Sequence, residues 1–200
     1  IMDILKKEEF DFSKPEHKEI FWHSSAHVLA YAIERLYPDA IKTLGPAIEN
    51  GFYYDFANLN ITEADLEKIE QEVRKITKEN LPFKKCVTND RSKENIEFLI
   101  GNDKKYKKEF IDSIPKDQSI SYYELGNKSK DVPCRGPHIE STGMIGAMKL
   151  MKLAGAYWRG DSKNEMLTRI YGISFPTRDE LKEYLRILEQ AKLRDHRMLG

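Results

Sequence analysis

Two pairs of residues in this sequence have the types and the spacing of a chemical site. His23 and His27 lie four positions apart in the segment HSSAH, and Cys134 and His138 lie four positions apart in CRGPH. Imidazole and thiolate groups are ligands of tetrahedral zinc, and imidazole is also the commonest general base in enzymes. The pairs are far apart in the chain, so only the fold can join them, and we predict that they meet across one cleft.

Several chemistries would use such a quartet. A structural zinc ion would take all four ligands, whereas a catalytic zinc ion would bind three and keep water in the fourth position. A metal-free site would use one histidine as the general base on water. Cys134 as a covalent nucleophile is a further alternative, although the sequence shows no cause for a lowered thiol pKa. The residues alone leave these alternatives open, together with the plainer one that the pairs are unrelated.

The first pair is predicted to lie on a helix and the second on a turn. Apolar residues spaced by three and four positions predict a helix over 21–36, which Pro38 ends. In such a helix His23 and His27 are neighbours on one face. The Gly-Pro dipeptide inside CRGPH instead predicts a tight and rigid turn.

The other patterns predict strands and helices without a regular βαβ alternation. The Asn-Gly dipeptide at 50–51, between apolar segments, predicts a hairpin. Capping boxes that begin at Thr62 and Thr177 predict two further helices. The remaining predicted elements are two short helices within 92–113 and strands over 119–125, 147–153 and 166–175. We therefore predict an α+β fold, with helices packed on a mixed or antiparallel sheet.

Composition and charge limit the expected compartment and partners of the protein but say little about its activity. The chain has 200 residues, of which 33 are Lys or Arg and 33 are Asp or Glu, so the formal net charge is zero and no chain-wide basic footprint for nucleic acid exists. No apolar run is long enough for a membrane span, and the first residues are charged rather than signal-like. Two distant cysteines, Cys86 and Cys134, do not form a disulfide framework, which favours a reducing, cytosolic setting. The chain ends in RDHRMLG, within a predicted helix, and we expect it to be a fragment of a longer protein.

Five segments in order resemble one family. HSSAH, LGPAIENGFYYD, CRGPH, GAYWRGD and LTRIYG together resemble the amino-terminal editing region of bacterial-type threonyl-tRNA synthetase, over roughly residues 20–200. The two paired motifs are shared with alanyl-tRNA editing domains and their freestanding relatives. The longer glycine- and aromatic-rich segments are more specific to the threonyl branch.

The resemblance implies a fold and a division of the chain. It implies an editing-domain-like α+β fold, in which helices and sheet border a cleft. Residues 1–20 are then a linker or the tail of a preceding module, 21–175 the editing domain, and 176–200 a helix leading into an absent aminoacylation domain. The full-length enzyme is expected to be a cytoplasmic homodimer that associates through that absent domain.

The resemblance also implies a reaction. A synthetase pocket built for threonine excludes serine poorly, because one missing methyl group is worth only about 1–3 kcal/mol. A second site that hydrolyses the seryl ester on tRNA(Thr) repairs the error. The implied partner is the acceptor end of tRNA(Thr) carrying serine, with no membrane partner, and no cofactor is required.

The family's site residues are carried over by matching motifs. Those implied to be catalytic are His23, His27, Lys107, Cys134 and His138. Those implied to bind substrate are Gly45 and Pro46, which would form part of an adenosine wall, and Tyr54, Asp131, Arg135 and Gly136. If zinc is bound, its predicted ligands are His23, His27, Cys134 and His138.

One position departs from the family pattern. The family has an acid two residues before the cysteine, but Val132 occupies that place here and the acid is Asp131. We expect Asp131 to fill the role from its shifted position. The turn at Arg135 and Gly136, with the histidine helix, is the expected wall that excludes the extra methyl group of threonine.

Two other functions fit the same motifs. One is a freestanding alanyl-type deacylase that depends on zinc, and the other is a zinc-stabilised RNA-binding module without activity. Plainer structural interpretations also exist for single residues. Lys107 lies in a charged run typical of a solvated face, Trp158 and Arg159 are expected to be mainly structural, and Cys86 is expected to be a small buried residue.

Overall fold

The computed structural model describes residues 2–199, which form an α+β arrangement. Its helices are α1 (Pro15–Leu36), α2 (Leu66–Glu79), α3 (Lys93–Ile100), α4 (Lys104–Asp112) and α5 (Arg178–Leu199). Its strands are β1 (Ile4–Leu5), β2 (Ile41–Lys42), β3 (Ala47–Ile48), β4 (Gly51–Ala57), β5 (Phe83–Thr88), β6 (Ile120–Leu125), β7 (Ser129–Asp131), β8 (His138–Ile139), β9 (Ala147–Tyr157) and β10 (Met166–Phe175).

The helix that carries the first histidine pair is longer than predicted. It begins at Pro15, where proline is well tolerated because the first helical N–H groups have no partner within the helix. The segment before it is packed rather than free, since the rings of Phe10 and Phe12 lie 5.4 and 5.3 Å from that of Phe21. Almost all side chains from Ile20 to Ile33 are buried, so α1 runs through the core.

The main sheet is antiparallel and supports one side of α1. Its strands lie in the order β2-β4-β10-β9, and β3 pairs with the first two residues of β4. Alternate residues of β4, namely Phe52, Tyr54 and Phe56, are buried in the core, where α1 and α2 pack. This period of two lets one face of the sheet bind the helices.

A second group of elements brings the distant motifs to α1. The sheet β5-β6-β7 is antiparallel, and β1 pairs in parallel with β8, so that Ile4 lies beside His138. Helices α3 and α4 pack around a separate small core that includes Leu99, Ile111 and Val132. The strand β8 contacts α1 directly, which places the CRGPH turn against the histidine helix.

Most predicted elements are present. The hairpin at Asn50-Gly51, the short helices within 92–113, the three predicted strands and the capping box at Thr62 are confirmed. At Thr177 the predicted helix is present, and the Thr177 hydroxyl accepts the Glu180 N–H and donates to the Glu180 carboxylate. Cys86 is an exception, because it is half-buried on β5 rather than buried. Within residues 2–199, no helix is both long enough and apolar enough to cross a bilayer.

Candidate active site

An open cleft of about 950 Å³ lies beside α1, α4 and the segment that follows β7. Eight of the residues singled out from the sequence line it: His23, Gly45, Pro46, Lys107, Asp131, Cys134, Arg135 and Gly136. The other three, His27, Tyr54 and His138, are buried and do not line it. The fold therefore brings the two paired motifs together at one cleft.

The two histidines of α1 occupy different environments. The His23 ring stacks on that of His138, with centroids 4.5 Å apart, and reaches the cleft. His27 lies one turn further along, only 3% exposed, and its Nδ1 is 3.6 Å from an Asp131 oxygen. Burial lowers the pKa of His23, with a smaller contribution from His27, and Asp131 only partly opposes the shift. His23 is thus a neutral, cleft-facing imidazole at pH 7.

A hydrogen-bond network fixes the tautomer of His138. Ser24 has one hydroxyl proton, which it donates to the Ile20 carbonyl at 2.8 Å, and its oxygen accepts the Ile139 N–H at 3.0 Å. The His138 Nδ1, 2.8 Å from the same oxygen, must then be the donor. The unprotonated Nε2 faces Cys134 Sγ at 3.3 Å and accepts its S–H. His138 is therefore neutral, and both of its ring nitrogens are hydrogen-bonded. His23, in contrast, faces the cleft, where its ring is accessible to solvent.

The pKa shifts of this pair agree with that assignment. Burial lowers the pKa of His138 well below its usual value, and the neighbouring His23 adds to the shift. Burial raises the pKa of the Cys134 thiol, and the negative charge of Asp131 raises it further. A protonated thiol is a poor nucleophile, so the structure provides no activation of Cys134 for covalent catalysis.

Asp131 and Lys107 form an ion pair at the cleft. Lys107 Nζ lies 3.5 Å from Asp131 Oδ1, and Lys107 is only 3% exposed, so it is not part of a solvated face. Burial disfavours the Asp131 carboxylate, but Lys107 and then His27 outweigh it and hold its pKa well below the usual range. The acid is therefore ionised, and the ammonium group beside it supplies positive charge at the cleft wall.

A second buried lysine ties together the elements that carry these groups. Lys42, on β2, forms an ion pair with Glu34 of α1, donates to the Lys130 carbonyl at 2.9 Å, and lies 3.7 Å from Asp103. Its backbone N–H also donates to Asp103, at 2.9 Å. Glu34 lies on α1, the helix that carries both histidines. Asp103 directly precedes α4, which carries Lys107, and Lys130 lies on β7 next to Asp131. Lys42 thus connects three sides of the site.

The group that could hold a metal ion differs from the predicted one. The potential ligand atoms of His23, Asp131, Cys134 and His138 all lie within 4.8 Å of one another, so Asp131 takes the place expected for His27. These donor types suit zinc. Binding would require the thiol to lose its proton and Asp131 to share its charge with Lys107. Cys134, His138 and Asp131 already have protein partners, so zinc would compete with these contacts.

The predicted substrate-binding residues divide into cleft wall and support. Gly45 lies against the Tyr54 ring so closely that a Cβ would overlap it, and Tyr54 is only 3% exposed beneath. Gly136 has a φ of +68°, and a Cβ there would overlap the phenol of Tyr123. Arg135 is exposed at the cleft. The glycines thus let the backbone form the wall, and Tyr54 supports it from behind.

Three contributors were not singled out from the sequence. Ser24 lies inside HSSAH, and its position one residue after His23 could have drawn attention to it. Tyr123 packs edge-on against His138, with centroids 4.6 Å apart, and its hydroxyl donates to the Asp3 carbonyl at 2.8 Å. No local pattern distinguishes Tyr123 or Lys42 from other strand residues, because their roles depend on contacts across the fold.

Comparison with known proteins agrees with the predicted resemblance. Residues 120–171 match a family described as the threonyl and alanyl tRNA synthetase second additional domain. The chain is 56% identical over 189 residues to a threonine–tRNA ligase of Protochlamydia amoebophila, covering 94% of this chain and 28% of that protein. It is 50% identical over 190 residues to the threonine–tRNA ligase of Caldanaerobacter subterraneus, covering 94% of this chain and 29% of the relative. It is 49% identical over 203 residues to the threonine–tRNA ligase of Fusobacterium nucleatum, covering 100% of this chain and 32% of the relative.

These matches concern one segment of longer proteins. The chain spans about 30% of the length of the curated relatives it matches. Within that segment the similarity covers nearly the whole chain. The predicted resemblance is confirmed.

Proposed function

Since this chain is similar, over nearly all of its length, to a segment of bacterial threonine–tRNA ligases, we propose that it hydrolyses the ester bond of mischarged seryl-tRNA(Thr). The observation that carries the proposal is a neutral histidine, His23, at an open cleft beside the ion pair of Asp131 and the buried Lys107. Ester hydrolysis needs a base for water and positive charge for the developing oxyanion. Both groups line the same cleft.

In the proposed reaction His23 removes a proton from a water molecule as its oxygen attacks the seryl carbonyl. The tetrahedral oxyanion forms near the Lys107 ammonium, whose charge Asp131 keeps in place. The carbon–oxygen bond to the ribose then breaks, and the ribose oxygen takes back the proton from His23. The products are serine and uncharged tRNA, so atoms and charge balance without a covalent intermediate.

The other members of the cluster position these groups. His138, held by Ser24 and Cys134, provides the flat surface on which the His23 ring stacks. His27 contacts Asp131 from the buried side. If zinc binds, His23, Asp131, Cys134 and His138 would hold it, and it would supply a Lewis acid for water or carbonyl. The proposal requires no zinc, because the cluster contains a base and a cation of its own.

Selectivity against threonine is assigned to the backbone wall. Serine and threonine carry the same hydroxyl, so hydrogen bonding to it does not separate them. Arg135 and Gly136 belong to a turn that backs onto Tyr123, which leaves the turn little room to retreat. An extra methyl forced into a rigid site costs about 1–3 kcal/mol. We therefore propose that the wall admits serine and excludes threonine.

The wider context is proposed on the same basis. Residues 21–175 would be the deacylase domain, and 176–200 a helix that leads to an aminoacylation domain through which the longer enzyme dimerises. Residues 1–20 would be a linker or the tail of a preceding module. They include β1, which pairs beside His138, so truncated variants should retain that strand. The partner would be the acceptor end of tRNA(Thr) in the cytoplasm, where both thiols stay reduced.

The proposal is tested by single-turnover deacylation of seryl-tRNA(Thr), with alanyl-tRNA(Ala) in parallel and with chelator present or absent. Seryl-tRNA(Thr) should be hydrolysed in chelator, and His23→Ala should slow the reaction by about 10²- to 10⁴-fold, as expected for loss of a general base. The matched control is His196→Ala, which removes an exposed histidine of α5.

Other outcomes would identify the alternatives. Activity that chelation removes and zinc restores, with alanyl-tRNA(Ala) as the better substrate, would indicate a zinc-dependent alanyl-type deacylase. Tight tRNA binding with no hydrolysis of either ester would indicate a binding module. Near-full activity of His23→Ala would show that the base lies elsewhere.

A further inference from the structure

A second cavity, of about 370 Å³, opens next to the cleft. The two share Leu44 and Phe110 in their walls, so they adjoin. Aromatic rings and guanidinium groups dominate the lining of the second cavity: Tyr53, Tyr157, Trp158, Arg159 and Arg169. The proposed hydrolysis uses none of these side chains.

Trp158 is held firmly in the wall of this cavity. Its ring is packed edge-on by Tyr106 and Phe110, at centroid distances of 4.8 and 5.7 Å. Its backbone N–H donates to the Glu165 carbonyl at 3.0 Å, and its carbonyl accepts from the Asn164 side chain at 2.8 Å. The indole is only half-buried. A rigid, accessible indole is a suitable surface for a stacked base, because little conformational freedom is lost on binding.

The charges on the cavity are balanced. Arg169 lies 3.9 Å above the Tyr53 ring and donates two hydrogen bonds to Asp55, at 2.8 and 2.9 Å. Arg159, at the rim, pairs with the exposed Glu109 at 3.0 Å. Such paired cations bind a free phosphate weakly, whereas aromatic and guanidinium planes stack on any base. The chemistry of the cavity therefore favours a nucleobase over an isolated anion.

We propose that this cavity binds the base of the nucleotide that precedes the terminal adenosine of the RNA substrate. The inference rests on the proposed function, since an aminoacylated adenosine in the cleft requires the single-stranded end to leave it along an adjoining surface. The shared Leu44 and Phe110 make the second cavity such a neighbour. In mature tRNA the preceding nucleotide is a cytidine, so the expected ligand is a stacked cytosine.

The chain permits a direct binding assay because it has two tryptophans. Trp22 is buried in the core, and Trp22→Phe leaves Trp158 as the single tryptophan, whose emission can be excited selectively over that of tyrosine. The dinucleotide cytidylyl-adenosine should change Trp158 fluorescence in a saturable way, and adenosine alone should change it much less. The absence of a saturable change with the dinucleotide, or an equal change with adenosine alone, would overturn the proposal.

A kinetic comparison covers the case in which Trp22→Phe does not fold. Stacking on an aromatic side chain is worth about 1–3 kcal/mol per base. Trp158→Ala should therefore reduce kcat/KM for seryl-tRNA(Thr) by about 5- to 150-fold more than for seryl-adenosine, which lacks the preceding nucleotide. Equal losses on the two substrates would overturn the proposal. Phe98→Ala is the matched control, because Phe98 is an exposed aromatic with a cation partner, Lys130, outside the cavity.

The two proposals fail separately. If the wild-type protein hydrolyses neither seryl-tRNA(Thr) nor seryl-adenosine, the proposed function is refuted. The fluorescence assay then still decides whether cytidylyl-adenosine binds beside Trp158. If both esters are hydrolysed and Trp158→Ala affects them alike, the hydrolase stands and the stacking site is refuted.

Discussion

Replacement of Lys42 by methionine should weaken both the fold and the site. The methionine side chain fills a similar volume but leaves Glu34 and Asp103 without their shared cation. Lys42 is only 8% exposed, and removing one partner of a buried ion pair typically costs about 3–5 kcal/mol. A domain of ordinary stability has about 5–15 kcal/mol in total, so the variant should still fold but melt at a clearly lower temperature.

The loss should depend on pH in a defined direction. Burial raises the pKa of Asp103, and Lys42 partly counteracts that shift. Without Lys42 the carboxyl should take up a proton at still higher pH, which relieves the unpaired charge. The difference in unfolding free energy between wild type and Lys42→Met should therefore be largest near pH 7 and shrink toward pH 4. Urea unfolding followed by circular dichroism at a series of pH values measures it.

Matched variants separate this network from ordinary ion pairs. Arg186→Met removes an exposed arginine of α5 that lies 2.8 Å from the exposed Glu183, and should leave the stability almost unchanged, because exposed ion pairs contribute little. Adding Glu34→Gln to Lys42→Met should recover part of the stability, because one unpaired charge is removed. Deacylation should fall with Lys42→Met and not with Arg186→Met. A Lys42→Met protein as stable and as active as Arg186→Met would refute the reasoning.

Three further outcomes follow from the site. Ser24→Ala removes the acceptor of His138 Nδ1–H and should cost about 1–3 kcal/mol in urea unfolding, with slower deacylation; an unchanged midpoint would contradict the assigned network. Burial lowers the pKa of His23, and only the neutral ring can accept a proton. The deacylation rate should therefore stay constant as the pH is lowered to 7 and should then fall with an inflection below pH 6.5; an inflection above pH 7 would contradict His23 as the base. Gly136→Ala, at a φ of +68° and against Tyr123, should destabilise the fold by about 1–3 kcal/mol and reduce discrimination against threonine, measured by thermal melting and by the ratio of the two deacylation rates.

The spacing of the paired motifs predicted the centre of the site well. Four-residue spacing on a helix forces His23 and His27 onto one face, and a Gly-Pro turn brings Cys134 close to His138 whatever the rest of the fold. These are local constraints. The convergence of the two pairs followed from their chemistry, because four such groups are costly to bury separately.

Features that depend on long-range packing were not predictable in the same way. Asp131 reaches the cluster because β7 pairs with β6 beside α1, and no local pattern specifies that pairing. Lys107 belongs to a run of lysines, and only the packing of α4 decides which of them is buried. Helix α1 begins before its apolar period does, because Pro15 and the phenylalanine contacts start it.

The ratio of single-turnover rate constants for seryl-tRNA(Thr) and threonyl-tRNA(Thr), at equal concentration and with chelator present, tests the central claim most directly. The cleft wall should favour the seryl ester by about 5- to 150-fold, the equivalent of 1–3 kcal/mol for one excluded methyl group. Equal rates for the two esters would contradict proofreading and leave only a general esterase.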